Sequence, residues 1–190
     1  LGISRIKGGS GNDTITGSAG ADTIAGDAGS DVLAGGSGDD AFLYFGTGND
    51  FDLILGGEGF DRIEGSAGDD VIGLQRFGDE QSIELIDGGG GVDIIQGTSS
   101  RDVLDFSDTP LLGISRIEGR TGSDTITGSA GDDTIGGDAG NDVLAGGSGD
   151  DAFLFFGTGN DFDLISGGEG FDRVEGSAGD DIIGLQRFGD

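Results

Sequence analysis

The sequence contains no cysteine, histidine, methionine or tryptophan, and only one proline among its 190 residues. Without cysteine there is no disulfide framework, so a weakly cored chain in an oxidising space needs another cross-link, and metal ions are the usual one. Without histidine or cysteine, the common acyl-transfer and zinc-dependent mechanisms lack a base, a nucleophile or a ligand. We therefore expect no enzyme activity, no catalytic residue and no organic cofactor in this chain.

Basic residues are also scarce: 9 Lys and Arg stand against 37 Asp and Glu, which gives a net charge of −28. Self-repulsion of this size opposes a compact fold unless cations neutralise it. The sign excludes nucleic acid as a partner and predicts a cationic ligand. No apolar run is long enough to predict a transmembrane segment.

Glycine is abundant, with 45 residues, and it recurs in a nine-residue pattern, GGxGxDxUx, in which U is a bulky apolar residue. Clear copies are GGSGNDTIT from Gly8 to Thr16, GGSGDDAFL from Gly35 to Leu43, GGEGFDRIE from Gly56 to Glu64 and GGGGVDIIQ from Gly88 to Gln96. Glycine without regular spacing would predict disorder, whereas strict spacing predicts a repeat architecture. The sequence shows no helical period, and each copy offers one short strand around U that is bounded by a glycine turn. We therefore predict an all-β solenoid of stacked short strands, with about 18 residues per turn if two nonapeptides make one turn.

Each position of the pattern has a physical role. Glycine at positions 1, 2 and 4 suits a turn that needs positive φ and inward-pointing carbonyls. Aspartate at position 6 adds a charged oxygen, and carboxylates with backbone carbonyls are the ligands that calcium prefers. The U residues should form a thin core, which in the first part of the chain consists of Ile15, Ile24, Leu33, Phe42, Ile63, Ile72, Ile95 and Leu104.

A second, longer period is also present, because Leu1 to Asp79 recurs as Leu112 to Asp190 with 11 differences in 79 positions. We interpret residues 1–111 as one long repeat unit, with irregular coils at 44–55, 74–87 and 106–118, and residues 112–190 as a second, truncated copy that continues the same solenoid. With each coil counted as one half-turn, a unit has eleven half-turns, so equivalent residues such as Asp13 and Asp124 should lie on opposite edges. The N-terminal LGISRIKGG lacks the features of a signal peptide, and we expect a longer parent protein with further copies of the unit.

Calcium takes about six to eight oxygens, more than one loop supplies, so each site should need two loops stacked on the same edge. The expected pairs begin with Asp13 and Asp31 on one edge and with Asp22 and Asp40 on the other. The candidate ligands are Asp13, Asp31, Asp50, Asp70, Asp93, Asp133, Asp151 and Asp172 on the first edge, and Asp22, Asp40, Asp61, Asp102, Asp124, Asp142, Asp161 and Asp181 on the second. Gaps are expected at Glu84 and Ser115, where position 6 is not aspartate.

Backbone carbonyls at positions 2 and 4 should complete the calcium coordination shells. The candidate carbonyls are those of Gly9, Gly11, Gly36, Gly38, Gly57, Gly59, Gly147, Gly149, Gly168 and Gly170. Multiple ions, roughly 8 to 12, are expected from the number of stacked pairs. They would offset roughly 16 to 24 of the negative charges, which nearly matches the charge excess.

This pattern resembles the RTX, or haemolysin-type calcium-binding, family, whose GGxGxDxUx repeats form a parallel β-roll. The resemblance covers nearly all of the chain and departs from the pattern at the three long coils, at Asp27 and Ser66 in place of a second glycine, and in the loop from Gly97 to Asp102. It implies a right-handed parallel β-roll with calcium in the glycine-rich turns. It also implies a secreted or cell-surface bacterial protein that leaves the cell unfolded through a type I system and folds when it meets calcium outside.

Near-identical long units suit a role in which length matters. We therefore expect a calcium-stiffened extender segment of a large adhesin, S-layer or matrix protein. The alternative is a calcium-triggered folding and secretion module of an RTX toxin or secreted hydrolase. Ice binding is less expected, because Thr47 and Asn49 form a single pair and not a rank. Two further kinds of interaction stay open, namely self-association into filaments and attachment to a cell surface through other domains.

Overall fold

The structure is a computed structural model that describes residues 4–48, 51–155 and 162–176, together with the backbone of 185 and 186. These residues form twenty short strands and a single 3-10 turn at Asp79–Gln81. Every strand pairing among the described residues is parallel, and it joins a strand to one in the preceding or the following coil. The predicted all-β parallel solenoid is therefore confirmed. No helix among the described residues is long and apolar enough to cross a membrane.

The strands form three faces, named here in order along one coil. Face one contains β1 (Ile6–Ser10), β3 (Thr23–Ala28), β5 (Ala41–Leu43), β7 (Arg62–Glu64), β9 (Leu85–Asp87) and β12 (Leu111–Leu112). Face two contains β8 (Val71–Gly73), β10 (Asp93–Gln96), β13 (Ile114–Glu118), β15 (Thr134–Gly136), β17 (Ala152–Phe155) and β19 (Arg173–Gly176). Face three contains β2 (Thr14–Thr16), β4 (Val32–Ser37) and β6 (Leu53–Glu58), and further along β11 (Val103–Asp105), β14 (Thr125–Thr127), β16 (Val143–Ser148), β18 (Asp163–Glu169) and β20 (Leu185–Gln186).

The number of faces changes along the solenoid. Faces one and three enclose the first coils, all three faces enclose the middle coils, and faces two and three enclose the last coils. The residue spacing changes with it: bonded residues in successive coils are 18 apart where two regular nonapeptides make a coil, 21 apart across the long coil after β5, and 23 apart in the middle. The predicted spacing of about 18 is therefore correct for the regular coils and too short for the others.

Face three runs through the whole solenoid, because isolated bridges join its two groups of strands. Asp52 at the start of β6 bridges Leu74, and Phe77 three residues later bridges Leu104 in β11. Asp13 and Asp124 both precede strands of this face, β2 and β14. Equivalent residues of the two copies thus lie at the turn that enters the same face, and the prediction that they lie on opposite edges is wrong, because the middle coils contain a third face that a count of half-turns omits.

The core is a column of buried apolar side chains, contributed by most of the strands, as the pattern predicts. All eight predicted core residues of the first part of the chain are buried, and Ile24, Phe42, Ile63, Ile72, Ile95 and Leu104 have no exposed surface. The three-faced middle is wider, and Phe77 and Phe106 fill it as a stacked pair with ring centroids 4.8 Å apart. Aromatic rings are the side chains large enough to fill such a widening.

Candidate calcium sites

Position 6 of each turn is bonded to position 6 of the next coil. The backbone N–H of Asp13 donates to Oδ1 of Asp31 over 2.7 Å, and the N–H of Asp22 donates to Oδ1 of Asp40 over 2.7 Å. Within the described part of the chain, eleven such bonds connect five series of stacked carboxylates, which we call aspartate ladders. The ladders are Asp13–Asp31–Asp52, Asp22–Asp40–Asp61–Glu84, Asp70–Asp93, Asp102–Asp124–Asp142–Asp163 and Asp133–Asp151–Asp172.

The ladders stack most of the predicted pairs on one another and differ from the predicted stacking at three positions, while calcium binding by these residues stays a prediction. Asp31 pairs with Asp52 over 2.8 Å, not with Asp50, and Asp142 pairs with Asp163 over 2.9 Å, not with Asp161. Glu84, predicted to be a gap, accepts from the N–H of Asp61 over 2.7 Å because its longer side chain reaches the ladder. Asp50, Asp161 and Asp181 lie outside the described residues.

The second carboxylate oxygen in most of these residues is buried and has no hydrogen-bond partner among the described residues. These orphan atoms are Oδ2 of Asp13, Asp31, Asp40, Asp61, Asp93, Asp124, Asp142 and Asp151. A buried, unpaired charged oxygen is costly, so such groups normally pair with a cation or coordinate a metal. Eight of them repeated along the solenoid form a donor set that a divalent cation would satisfy.

Backbone oxygens converge beside these atoms. A Cβ placed on Gly35 would lie 2.2 Å from Oδ2 of Asp40 in the same turn and 2.6 Å from the carbonyl oxygen of Gly56 in the next coil. Gly146 shows the same arrangement, at 2.0 Å from Oδ2 of Asp151 and 2.5 Å from the carbonyl oxygen of Gly167. Among the described residues, no three acidic side chains come together. A site here would therefore combine few carboxylates with several carbonyls from two coils, which is a donor set that calcium accepts.

The ten glycines chosen at positions 2 and 4 all have positive φ, between 101° and 137°. Several of their carbonyls lie against the same position of the next coil: the oxygen of Gly36 is 2.0 Å from a Cβ placed on Gly57, and that of Gly147 is 1.9 Å from one placed on Gly168. The glycines therefore permit the close stacking of the turns. Their role as calcium ligands stays a prediction, and the position 1 carbonyls are further candidates that the sequence did not single out.

Burial raises the pKa of several ladder carboxylates. The largest value is that of Asp142, whose pKa is raised to about 7, first by burial and then by the charges of Asp163 and Asp124. Burial also raises the pKa of Asp40, Asp61, Asp102, Asp124, Asp133 and Asp151. The metal-free fold thus opposes ionisation of the groups whose charge would attract calcium.

These shifts predict that acid favours the metal-free fold. An unfolded aspartate has a pKa of about 3.9, so between that value and the raised folded value the folded chain binds more protons. Stability from this source is complete below a pH of about 4 and is lost as the pH rises towards 7. In chelator, we expect the β content measured by circular dichroism to increase as the pH is lowered from about 8 to about 5. In calcium the direction is opposite, because protons compete with the metal. A β content in chelator that is unchanged or lower at the acidic pH would contradict this prediction.

The repeated turns, the orphan carboxylates and the parallel coils agree with a comparison at the sequence level. The profile of the RTX calcium-binding nonapeptide repeat, which describes 4 copies of the motif, matches residues 7–42, 46–74, 84–106, 118–153, 137–163 and 157–185, most of the chain. The chain belongs to this RTX family. Repeats of this family bind calcium and form β-rolls, and they are typical of secreted bacterial proteins. No individual curated protein shows significant similarity to the chain.

The RTX turns also contain polar contacts that the sequence did not predict. At position 5, Asn and Asp side chains accept from the backbone of the next coil, as in Asn12 with the N–H of Ser30 at 3.1 Å and Asp39 with the N–H of Phe60 at 2.9 Å. Tyr44 donates its hydroxyl to Oδ2 of Asp52 over 2.8 Å and so pairs the oxygen that is an orphan elsewhere. The second copy has Phe155 at the position of Tyr44 and therefore lacks this donor.

Proposed function

We propose that this chain is a calcium-stiffened, non-catalytic extender segment of a large secreted or cell-surface bacterial protein of the adhesin, S-layer or matrix type. The observation that supports this role is the direct pairing between the two long copies. Strand β10 of the first copy pairs with β13 of the second in parallel, and β11 pairs with β14. Successive copies therefore stack as one solenoid without a linker, and each copy adds length.

The length that one copy adds follows from the coils. Five coil steps separate the equivalent strands β2 and β14, through β4, β6, residues 74–77 and β11. Each step between hydrogen-bonded strands is about 4.8 Å, so one unit should add about 24 Å. Calcium between the coils would make this length rigid, since a bound ion links two successive turns.

The test is the length of chains with two, four and six units, measured by small-angle scattering. In calcium, we expect the longest dimension to increase by about 24 Å per added unit. In chelator, the dimensions should instead increase as about the 0.6 power of the number of residues, as in an unfolded chain, and not in proportion to the number of units. A longest dimension that does not increase regularly with unit number in calcium would refute the extender role, because it would mean that successive units fold back on one another.

The calcium-triggered folding and secretion module remains the second candidate. The orphan carboxylates support this role, because their unpaired charges oppose folding unless calcium is present. The two roles predict different effects when the number of units is changed. If export of the parent protein falls when one unit is deleted from an array but surface reach does not, the secretion role is favoured. Loss of reach with normal export favours the extender.

A further inference from the structure

Among the residues that the structure describes, the glycine-rich turns fall into two classes according to the residue at position 2. In nine of them, which we call open turns, positions 2 and 4 both have positive φ, including Asp27, Arg120 and Asp138 at position 2. In the other four, position 2 is Ser18, Ser66, Thr98 or Ser129, and neither position 2 nor position 4 has positive φ. We call these the Ser/Thr turns. The two classes differ in backbone conformation and not only in sequence.

In the Ser/Thr turns, N–H and hydroxyl groups of the turn itself donate hydrogen bonds to the carboxylate of the aspartate at position 6. The backbone N–H of Ser129 donates to Oδ2 of Asp133 over 2.6 Å, and its hydroxyl donates to the same oxygen over 2.9 Å. In the Thr98 turn, the N–H and the hydroxyl donate to Asp102 over 2.6 and 3.0 Å. The N–H of Ser18 donates to Oδ2 of Asp22 over 2.6 Å, and the N–H of Ser66 contacts Asp70 in the same way.

In the open turns, the corresponding oxygen has no such donor. All eight orphan Oδ2 atoms belong to open turns, and none belongs to a Ser/Thr turn. The buried orphan oxygen that belongs to a Ser/Thr turn is Oδ1 of Asp22, whose Oδ2 accepts from Ser18. The residue at position 2 therefore separates carboxylates that the protein satisfies by itself from carboxylates that it leaves for a cation.

The Ser/Thr turns also have a regular place in the fold. Four of the five aspartate ladders begin at one of them, at Asp22, Asp70, Asp102 and Asp133. Every later aspartate in these ladders lies in an open turn or in a long coil. Each of these four ladders thus starts with a carboxylate held by local hydrogen bonds, and the orphan Oδ2 atoms of these ladders belong to later members, such as Asp40, Asp93, Asp124 and Asp151.

We propose that the Ser/Thr turns are metal-free caps, and that the residue at position 2 decides whether the carboxylate of a turn binds calcium. An N–H that donates to Oδ2 satisfies this oxygen with a partial positive charge, and its hydrogen occupies the side of the oxygen that a cation would otherwise approach. The backbone of a Ser/Thr turn also lacks the two left-handed residues that distinguish an open turn. This inference rests on the calcium binding of the RTX turns and assigns it to a subset of them.

The test compares two aspartates that are neighbours in one ladder. Asp133 lies in a Ser/Thr turn, and Asp151 lies in an open turn one coil further along. Asp133→Asn preserves an oxygen that accepts from Ser129. Asp151→Asn makes the same isosteric change in a residue whose Oδ1 accepts from the N–H of Asp133 but whose Oδ2 has no donor. Calcium stoichiometry is measured by equilibrium dialysis on the whole chain, after circular dichroism in saturating calcium shows that both variants fold. We expect the stoichiometry of Asp133→Asn to equal that of the wild type, and Asp151→Asn to lose at least one ion.

Equal losses in the two variants would overturn the proposal, because Asp133 would then be a ligand like Asp151. If either variant fails to fold, the pair Asp102→Asn and Asp124→Asn repeats the comparison in another ladder, with the same two expected results. A wild-type chain that binds no calcium would refute the calcium function itself. That outcome is distinct, since it is seen before any substitution is made.

Discussion

In excess chelator at neutral pH, the chain is expected to lose its β structure and to expand to the dimensions of an unfolded polypeptide. The negative charges of the chain, −28 in sum, repel one another, and nine buried carboxylate oxygens have no hydrogen-bond partner among the residues that the structure describes. A site made from two coils does not exist in the unfolded chain, so the binding free energy of each ion is folding free energy. One site at a calcium concentration of 100 times its Kd contributes about 2.7 kcal/mol, and several such sites exceed the whole stability of an ordinary domain.

Two measurements check this expectation. Far-ultraviolet circular dichroism should show β structure in calcium and a disordered chain in chelator, and the change should reverse when calcium is restored. Small-angle scattering should give a radius of gyration of about 47 Å in chelator, the value for an unfolded chain of this length. Magnesium at the same concentration is the control, because it supplies equal charge but requires a smaller, octahedral shell. Equal β content in calcium and in chelator would show that metal does not drive folding.

The regular parts of the fold could be predicted because one nonapeptide fixes one strand. Glycine sets the turn, and the apolar residue two positions after the aspartate points inward, as Ile15 does after Asp13. Alternation of side chains along a strand then decides burial. The same rule would have located the ladder residues of the long coils: Asp52 stands two positions before buried Ile54, and Glu84 stands two before buried Ile86. The error lay in counting from the glycines, because in the long coils glycines such as Gly46 and Gly48 do not stand at the regular distance from the ladder residue.

The third face could not be predicted from the pattern in this way. The strands of the middle coils, such as β8 and β9, are as short as those of the regular coils, and their sequences do not state which neighbour they will pair with. Whether a coil of 23 residues makes two faces or three depends on the volume that must be filled, here by the stacked rings of Phe77 and Phe106. That volume is set by contacts between coils that are distant in sequence, and such packing overrides local pattern.

The classes of turn show a finer limit of the same kind. In the sequence, Ser66 and Asp27 are both departures from glycine at position 2, yet the two residues have different backbone conformations in the structure. Asp27 adopts a positive φ of 65°, as the glycines do, whereas Ser66 does not and instead contacts Asp70 through its N–H. Asp and Asn tolerate the left-handed region better than most residues, while Ser and Thr favour local hydrogen-bonded turns. Residue chemistry at position 2 thus explains the division for Asp27 and Asp138 and for the Ser/Thr turns, whereas it does not explain the positive φ of Arg120.

Replacement of Gly146 by alanine is expected to remove one calcium site and to destabilise the calcium-loaded chain by about 1 to 3 kcal/mol or more. The new methyl group would lie 2.0 Å from Oδ2 of Asp151 and 2.5 Å from the carbonyl oxygen of Gly167, so it would occupy the space in which the two oxygens converge. The carbonyl belongs to the backbone of the next coil and cannot rotate away. The φ of Gly146 is not in the left-handed region, so the effect comes from lost space and not from backbone strain.

Gly136→Ala is the matched control, because Gly136 is also buried but its nearest neighbour would be Oδ1 of Asp138 at 3.5 Å, an ordinary contact. The first copy already has alanine at this position, Ala25, which shows that the fold accepts it. We expect the control to retain wild-type stoichiometry and to be unchanged or more stable by up to about 1 kcal/mol, since alanine restricts the unfolded chain. Calcium titration and thermal unfolding in calcium give both quantities. If Gly146→Ala bound as many ions as the control and unfolded at the same temperature, the converging oxygens beside Gly146 would not be a calcium site.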